Sequence, residues 1–135
     1  MATQIFVNLP VKDLNKSVEF FTKLGYTFNP QFTDEKATCM IISDTIYVML
    51  LTEPFFKSFT KKEITDTSKA NESIICLSVE NRADVDSIVA KAVEAGGTIS
   101  SEVQDYGFMY NHGFLDLDGH AWEYTYMDMA AMPQQ

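Results

Sequence analysis

The sequence predicts an α+β fold built from two βαβββ modules in a single domain, residues 1–135. Two observations lead to this prediction. The same order of apolar strand patterns and one amphipathic helix occurs at residues 4–52 and again at 73–127. A mostly polar connector, residues 53–72, separates the two halves.

Matching positions in the two halves support an ancient duplication. Leu9 and Val11 correspond to Leu77 and Val79 at an offset of 68 residues. Near the end of each half, a turn-forming aspartate recurs at an offset of 74 residues, from 44 to 118. Identity between the halves is slight, so the shared order of elements carries the inference.

The first module begins with a half-buried strand at residues 4–11, because apolar and other residues alternate there. A helix follows, with Asp13 or Asn15 as its N-cap and Gly25 at its end. Its buried stripe contains Leu14, Val18, Phe20, Phe21 and Leu24. Further strands are predicted near 26–33, at 36–43 and at 46–52.

The second module repeats this plan. A strand at 73–79 precedes a helix at 81–97, which Asn81 caps and Gly96 ends. The remaining strands are predicted at 98–103, 109–116 and 120–126.

The connector contains two different stretches. Pro54 is suited to start a short helix that carries Phe55, Phe56 and Phe59, and these rings either cap a core or form an apolar lid over a pocket. The rest of the connector is expected to be a flexible linker.

Charge and composition exclude several partners. A net charge of −9 argues against nucleic acid, which requires clusters of Lys and Arg. No stretch has the roughly 18 apolar residues of a membrane span, and the pattern of the first residues does not predict a signal peptide. Cys39 and Cys76 are expected to be buried free thiols. These features favour a cytoplasmic protein that has no membrane partner.

The stretch DLDGHAWEY, residues 116–124, predicts a hairpin with Asp118-Gly119 as a two-residue turn. This register would place Phe114 opposite Glu123 and His112 opposite Thr125, with His120 facing solvent. In the first module, a turn at residues 44–45 would likewise place Met40 opposite Met49 and Ile42 opposite Tyr47.

Two blocks of the sequence resemble the vicinal oxygen chelate superfamily, which includes glyoxalase I, extradiol dioxygenases and bleomycin resistance proteins. The first block is V-x-D-L-x-x-S-x-x-F-(F/Y)-x-x-L-G, residues 11–25, and the second is D-x-D-G-x-x-x-E, residues 116–123. The resemblance covers residues 4 to about 127. It implies that the two modules form a curled mixed sheet around a cleft, and it leaves the reaction open because members differ in chemistry.

The resemblance also implies positions for metal ligands, on the first and last strand of each module. Here those positions hold Phe6, Met49, Ile74 and Glu123. Phe and Ile have no donor atom and a Met thioether suits only soft metals, so the usual metal site is not expected. No cofactor is predicted, although a divalent metal at an unusual site is left open.

The cleft is expected to be mostly apolar and aromatic, as small-molecule pockets are. Its predicted walls contain Phe6, Asn8, Met40, Ile42, Tyr47, Met49, Ile74, Cys76, His112, Phe114 and Glu123. Glu123 is interpreted as a hydrogen-bonded remnant, an acid that contacts a ligand, or a metal ligand. His112 is either a partly exposed strand residue or its catalytic partner.

Two functions follow from these features. The first is binding of a small organic molecule in the aromatic-lined cleft. The alternative is a lyase, isomerase or dioxygenase that uses Glu123 with His112 or with an atypical metal site. A homodimer is predicted in either case, and an apolar tail of Met127, Met129 and Met132 either packs on a partner subunit or is disordered.

Overall fold

A computed structural model describes residues 2–131 of the chain, so Met132 of the apolar tail lies outside the described residues. The chain divides into two compact units, Met1–Thr65 and Asp66–Gln135. Each unit contains one mixed sheet that follows the βαβββ order, and the second unit has one additional short strand after its helix. The α+β class and the repeated order of elements are therefore confirmed.

The first unit has four strands in the order β1-β4-β3-β2. Strand β1 runs parallel to β4, whereas β2, β3 and β4 pair antiparallel. The elements are β1 (Ile5–Val11), helix α1 (Leu14–Lys23), β2 (Thr27–Asn29), β3 (Ala37–Ile41), β4 (Ile46–Thr52) and helix α2 (Glu53–Lys57). A short 3-10 turn, Pro30–Phe32, takes up part of the strand predicted near 26–33.

Helix α1 begins and ends where its sequence predicts. The Asp13 carboxylate accepts a hydrogen bond from the backbone N–H of Lys16 at 3.1 Å, so Asp13 and not Asn15 is the N-cap. Gly25 then adopts a φ of 104°, which glycine takes without steric cost. The helix packs against β4, and Phe20 and Phe21 are buried in the core of this unit.

The second unit has the strand order β5-β9-β8-β6, with β7 added on β8. Strand β5 runs parallel to β9, and the remaining pairs are antiparallel. The elements are β5 (Ile74–Ser78), helix α3 (Arg82–Glu94), β6 (Thr98–Ile99), β7 (Gln104–Asp105), β8 (Met109–Leu115) and β9 (Ala121–Met127). The single strand predicted at 98–103 is therefore replaced by two short strands.

Helix α3 covers one face of the second sheet. Asn81 caps it by accepting a hydrogen bond from Asp84 N at 2.8 Å, as its sequence predicts. Val85, Val89 and Ala92 of the helix are buried, and the helix packs against β8 and β9. The large side chains of the sheet that are buried in this unit are Phe114, Trp122 and Tyr124.

The strand registers support the duplication residue by residue. Pairs between the first and last strand of the first unit recur in the second, at the offsets of 68 and 74 found in the sequence. The pairs are Phe6 with Tyr47 and Asn8 with Met49 in the first unit, and Ile74 with Ala121 and Cys76 with Glu123 in the second. Glu123 thus has the same place in its sheet as Met49 in the other.

The connector is more ordered than its sequence predicts. Its first part forms α2, where the Phe55 and Phe59 rings meet edge to face at 5.1 Å. In its last part, the Thr67 hydroxyl donates to the carbonyl of Asp118, and Glu72 bonds to His120. The flexible-linker prediction is wrong for this last part, because its side chains fasten it to the loop between β8 and β9.

None of the helices within residues 2–131 has the length and apolar character needed to cross a membrane.

Candidate functional site

The connection between β8 and β9 is a five-residue loop, residues 116–120, and not a two-residue turn. The last strand pair is Leu115 with Ala121. Inside the loop, one carboxylate oxygen of Asp116 accepts from the backbone N–H groups of Asp118 (2.9 Å) and His120 (3.0 Å). These bonds pull the loop into a wider turn than the Asp-Gly pair alone predicts.

The wider loop shifts the register by one residue. Glu123 faces Gly113, His112 faces Tyr124, and Phe114 faces Trp122. A shift of one residue moves every side chain of a strand to the opposite face. The prediction that His112 and Phe114 share a face with Glu123 is therefore wrong: both lie on the face that α3 covers, where Phe114 is buried and stacks on Tyr124 at 6.0 Å.

The first unit departs from its predicted register in the same way. Both Ile42 and Ser43 donate backbone N–H groups to the carbonyl of Ile46, and the last strand pair is Ile41 with Tyr47, so the turn is longer than the two residues predicted. Met40 consequently pairs with Val48, and it is fully buried. The placement of Met40 on a ligand-binding wall is wrong for this reason.

Ile42 and Tyr47 are also not opposite each other, because Ile41 pairs with Tyr47 and Cys39 pairs with Met49.

On the sheet face opposite α1, the predicted residues Phe6, Asn8, Tyr47 and Met49 lie side by side through the β1–β4 pairing. We call these four residues the aromatic face of the first unit.

The centre of the aromatic face is a stacked pair of rings. The Phe6 and Tyr47 centroids are 4.9 Å apart with 13° between the ring planes, and Phe6 is 47% exposed. The Tyr47 hydroxyl donates to the carbonyl of Asp44 at 2.9 Å, which fixes its ring. The Asn8 side chain donates to the carbonyl of Phe6 at 3.5 Å. The face therefore offers flat apolar surface with an amide beside it.

The equivalent face of the second unit contains Ile74, Cys76 and Glu123. Glu123 is half-buried and its side chain lies over Gly113, since a Cβ placed there would be 3.1 Å from the Glu123 Cγ. We call Ile74, Cys76 and Glu123 the acidic face. Beside it, the Thr125 hydroxyl donates to the side-chain oxygen of Asn111.

Cys76 differs from its prediction, because it is exposed and not buried. Desolvation by the surrounding atoms and the negative charge of the neighbouring Glu123 both raise the pKa of the Cys76 thiol. A protonated thiol is a poor nucleophile. Cys39 is buried, as predicted, and burial raises its pKa as well.

His120 is the second residue whose exposure was predicted wrongly. It is buried, and its Nδ1 lies 2.8 Å from Oε1 of Glu72. The neighbouring Asp116 carboxylate accepts from the Trp122 indole N–H at 3.0 Å, and burial raises its pKa. In the sequence, Asp116 is recognisable only as the first residue of the D-x-D-G-x-x-x-E block. In the structure, its carboxylate accepts three hydrogen bonds, which hold the loop in shape.

The four positions that the resemblance implies for metal ligands do not fit a divalent cation. Phe6 and Ile74 offer no donor atom, Met49 offers a thioether, and Glu123 a carboxylate. Within residues 2–131, no group of three or more His, Cys, Asp or Glu side chains is arranged to hold a metal ion. We therefore derive no chemical step through a metal.

Comparisons with known proteins agree with this fold. A family model described as bleomycin resistance protein-like N-terminal matches residues 3–43. A hypothetical protein from S. aureus has 31% identity over 93% of this chain and 95% of its own, with a TM-score of 0.78. A glyoxalase/bleomycin resistance protein/dioxygenase family enzyme from Burkholderia phytofirmans superposes with a TM-score of 0.79 over 93% of this chain and 99% of its own, at 14% identity. The chain therefore has the fold of this superfamily.

Another solved structure shares the fold alone. A glyoxalase-related enzyme from Fulvimarina pelagi has 17% identity and a TM-score of 0.77, over 93% of this chain and 88% of its own. No curated protein matches the sequence significantly. The shared fold establishes the architecture, and the function has to be argued from the residues of this chain.

Proposed function

We propose that this protein binds a small organic molecule that contains a planar group, and that the Phe6–Tyr47 stack is its main contact. The stack itself carries the proposal. Two parallel rings lie on a sheet face with nearly half of Phe6 exposed. Aromatic side chains recognise flat or cationic groups through their faces, and each good contact contributes about 0.5–2 kcal/mol.

We propose separately that Glu123, on the acidic face of the second unit, selects organic molecules by their charge. Its carboxylate is half-buried, so a ligand ammonium or hydroxyl group bonded to it would be partly shielded from water. The net charge of −9 disfavours anionic ligands approaching the chain. These two features support a neutral or cationic ligand.

The proposal can be tested with a matched pair of probes, naphthylmethylammonium and naphthylmethanol. They share a flat ring system and differ in the charge of the terminal group. Calorimetry on Phe6→Ala should show a loss of about 1–2 kcal/mol for both probes, because both use the stacked rings. Phe32→Ala is the control, since Phe32 is exposed on the 3-10 turn of the same unit.

Glu123→Gln keeps the side-chain shape and removes the charge. It should weaken the binding free energy of the ammonium probe by about 1.5–3 kcal/mol and that of the alcohol by less than about 1 kcal/mol. A double-mutant cycle between Phe6→Ala and Glu123→Gln then measures whether the two residues act on the same molecule. Equal affinity of wild type and Phe6→Ala for both probes would refute the proposal.

The enzymatic alternative loses its predicted partner residue. His112 and Glu123 lie on opposite faces of their sheet, so His112 cannot take a proton that Glu123 gives up in the same site. The raised pKa of Cys76 also argues against a thiolate nucleophile beside Glu123. These contacts favour binding over catalysis by this pair.

We further propose that the protein works as a homodimer in the cytoplasm. Ile5 and Ile74 are exposed on β1 and β5, which lie at the ends of their sheets. Apolar edge strands of this kind are suited to pairing with another chain. Cys39 and Cys76 are both free thiols, which suits a reducing compartment. Sedimentation at micromolar concentration should show a dimer, and a monomer there would contradict the proposal.

A further inference from the structure

A groove of about 520 Å³ lies in the second unit, between helix α3 and the segment that follows it. It belongs to the face of the sheet opposite Glu123, so it is distinct from the acidic face described above. Its walls include Val89 and Val93 of α3, Ile99 and Val103 of the following segment, and His112 of β8. This volume lies within the range of about 300–1,000 Å³ that small-molecule pockets occupy.

The groove is apolar and open to solvent. Val93 is 44% exposed, Ile99 49% and Val103 42%, and these three aliphatic side chains surround one depression. Single exposed apolar residues are ordinary, but a cluster around a concave surface is typical of a binding site.

The segment that forms the outer wall is fastened to the sheet. His112 Nε2 lies 3.0 Å from the carbonyl oxygen of Ser101, so this ring nitrogen carries the proton and donates it. Because Ser101 lies between Ile99 and Val103 in the chain, this bond holds both apolar side chains at the groove. His112 therefore lies in the wall of this groove, and not beside Glu123 as the sequence predicts.

Two carboxylates border the groove on α3. Asp86 and Glu94 are eight residues apart, which places them about 12 Å from each other along the helix axis. Asp86 accepts a hydrogen bond from the Tyr110 hydroxyl at 2.7 Å, which orients its carboxylate. The nearby Arg82 guanidinium forms an ion pair with Asp105 at 2.7 Å. The charged side chains that line the groove are thus both acidic.

We propose that this groove is a second ligand site, which takes an amphipathic organic cation with an aliphatic chain. The chain lies on Val93, Ile99 and Val103, and the ammonium group pairs with Glu94 or Asp86. Charge complementarity favours this occupant, since an aliphatic anion would meet two carboxylates in a protein of net charge −9. The flat surface of Phe6 and Tyr47 suits a different class of molecule.

The test is a titration of the full chain with octylammonium, followed by two-dimensional ¹H–¹⁵N NMR. Octanoate is the matched probe, because it has a similar hydrocarbon chain and the opposite charge. Octylammonium should perturb the resonances of Val93, Ile99, Val103 and His112, and it should bind at least about tenfold more tightly than octanoate. Equal binding of the two probes, or shifts confined to residues 6 and 47, would overturn the proposal.

Two variants sharpen the result. Glu94→Gln should weaken octylammonium by about threefold, the scale of a solvent-exposed ion pair. The control Glu19→Gln removes the same charge from the exposed surface of α1 and should leave binding unchanged. Ala90→Phe places a ring in the groove and should abolish binding while the remaining spectrum stays folded. Equal effects of Glu94→Gln and Glu19→Gln on octylammonium binding, or unchanged binding by Ala90→Phe, would refute the site. The proposal would also be refuted if the groove bound a basic amphipathic peptide and did not bind octylammonium.

Discussion

The Asp116 carboxylate sets the register on which the acidic face depends, so its replacement is the most informative change to the fold. It accepts backbone N–H groups of Asp118 and His120 and the Trp122 indole N–H, all at 2.9–3.0 Å. Asp116→Ala leaves three donors without this acceptor. Each unsatisfied buried donor costs about 1–3 kcal/mol.

Part of that cost is offset. Burial raises the pKa of Asp116, which means that desolvation destabilises the charged carboxylate in the folded loop. Asp116→Ala removes this desolvation penalty together with the hydrogen bonds. We therefore expect the free energy of unfolding of the second unit to fall by about 3–5 kcal/mol. Asp116→Asn keeps one acceptor oxygen and should cost about 1.5–3 kcal/mol.

The assay is urea unfolding followed by tryptophan fluorescence. Trp122 is the single tryptophan of the sequence, and it is buried and bonded to Asp116. Its signal therefore reports on the unit that the change affects. Glu102→Ala is the control, because it removes one negative charge from an exposed residue of the same unit and should change stability by less than about 0.5 kcal/mol. A cost below about 1 kcal/mol for Asp116→Ala would refute the reasoning.

Three further predictions concern the pH dependence of stability, the β8–β9 pairing and the metal content. Because the pKa of Asp116 is raised above its ordinary 3.8, the part of its stabilisation that comes from protonation in the folded state is fully present below pH 3.8 and is lost as pH rises through the raised value. The free energy of unfolding of wild type minus that of Asp116→Asn should therefore fall over this range, and a rise would contradict the sign. Gly113→Ala would place a Cβ against the carbonyl oxygen of Trp122, closer than van der Waals contact allows, so urea unfolding should show a loss of about 2–3 kcal/mol. A neutral result would mean that the β8–β9 pairing is looser than described. Untagged protein should retain well under one equivalent of Zn, Ni, Mn or Fe after dialysis, since Phe6, Met49 and Ile74 are unsuitable ligands; elemental analysis that finds a stoichiometric metal, lost in Glu123→Ala, would contradict this.

The sequence predicted the elements of the fold well, because its signals are local. Asn81 is predicted as one N-cap, and Asp13 is one of two candidates, with Asn15, for the other; Asp13 and Asn81 both accept the expected backbone N–H groups. Gly25 and Gly96 end the helices with positive φ angles of 104° and 114°. The offsets of 68 and 74 residues matched the two halves correctly, since a duplicated chain keeps its spacing between equivalent strands.

The site was predicted less well, because strand faces depend on loop length to the single residue. In both hairpins the Asp-containing turn is longer than the two residues expected. Hydrogen bonds stabilise these longer turns: they are accepted by the Asp116 carboxylate in one hairpin and by the Ile46 carbonyl in the other. Phe6, Tyr47 and Glu123 remained on their predicted faces, whereas Met40, His112 and Phe114 moved to the faces beneath the helices.

The buried environment of His120 could not be predicted from its neighbours in sequence. Its partner, Glu72, is 48 residues away and belongs to a connector that reads as a polar linker. A contact of this kind depends on tertiary packing, and local propensity gives no signal for it. The same holds for the bond between Thr67 and Asp118, which fastens the connector to the loop.

The central claim is that the exposed rings of Phe6 and Tyr47 bind a planar molecule. Intermolecular nuclear Overhauser effects between the ring protons of naphthylmethylammonium and the protein test this contact directly. The proposed function predicts effects to the ring protons of both Phe6 and Tyr47, which vanish for residue 6 in Phe6→Ala and persist in Phe32→Ala. Effects that reach only Val93 and Val103, or no effects at saturating probe, would contradict it.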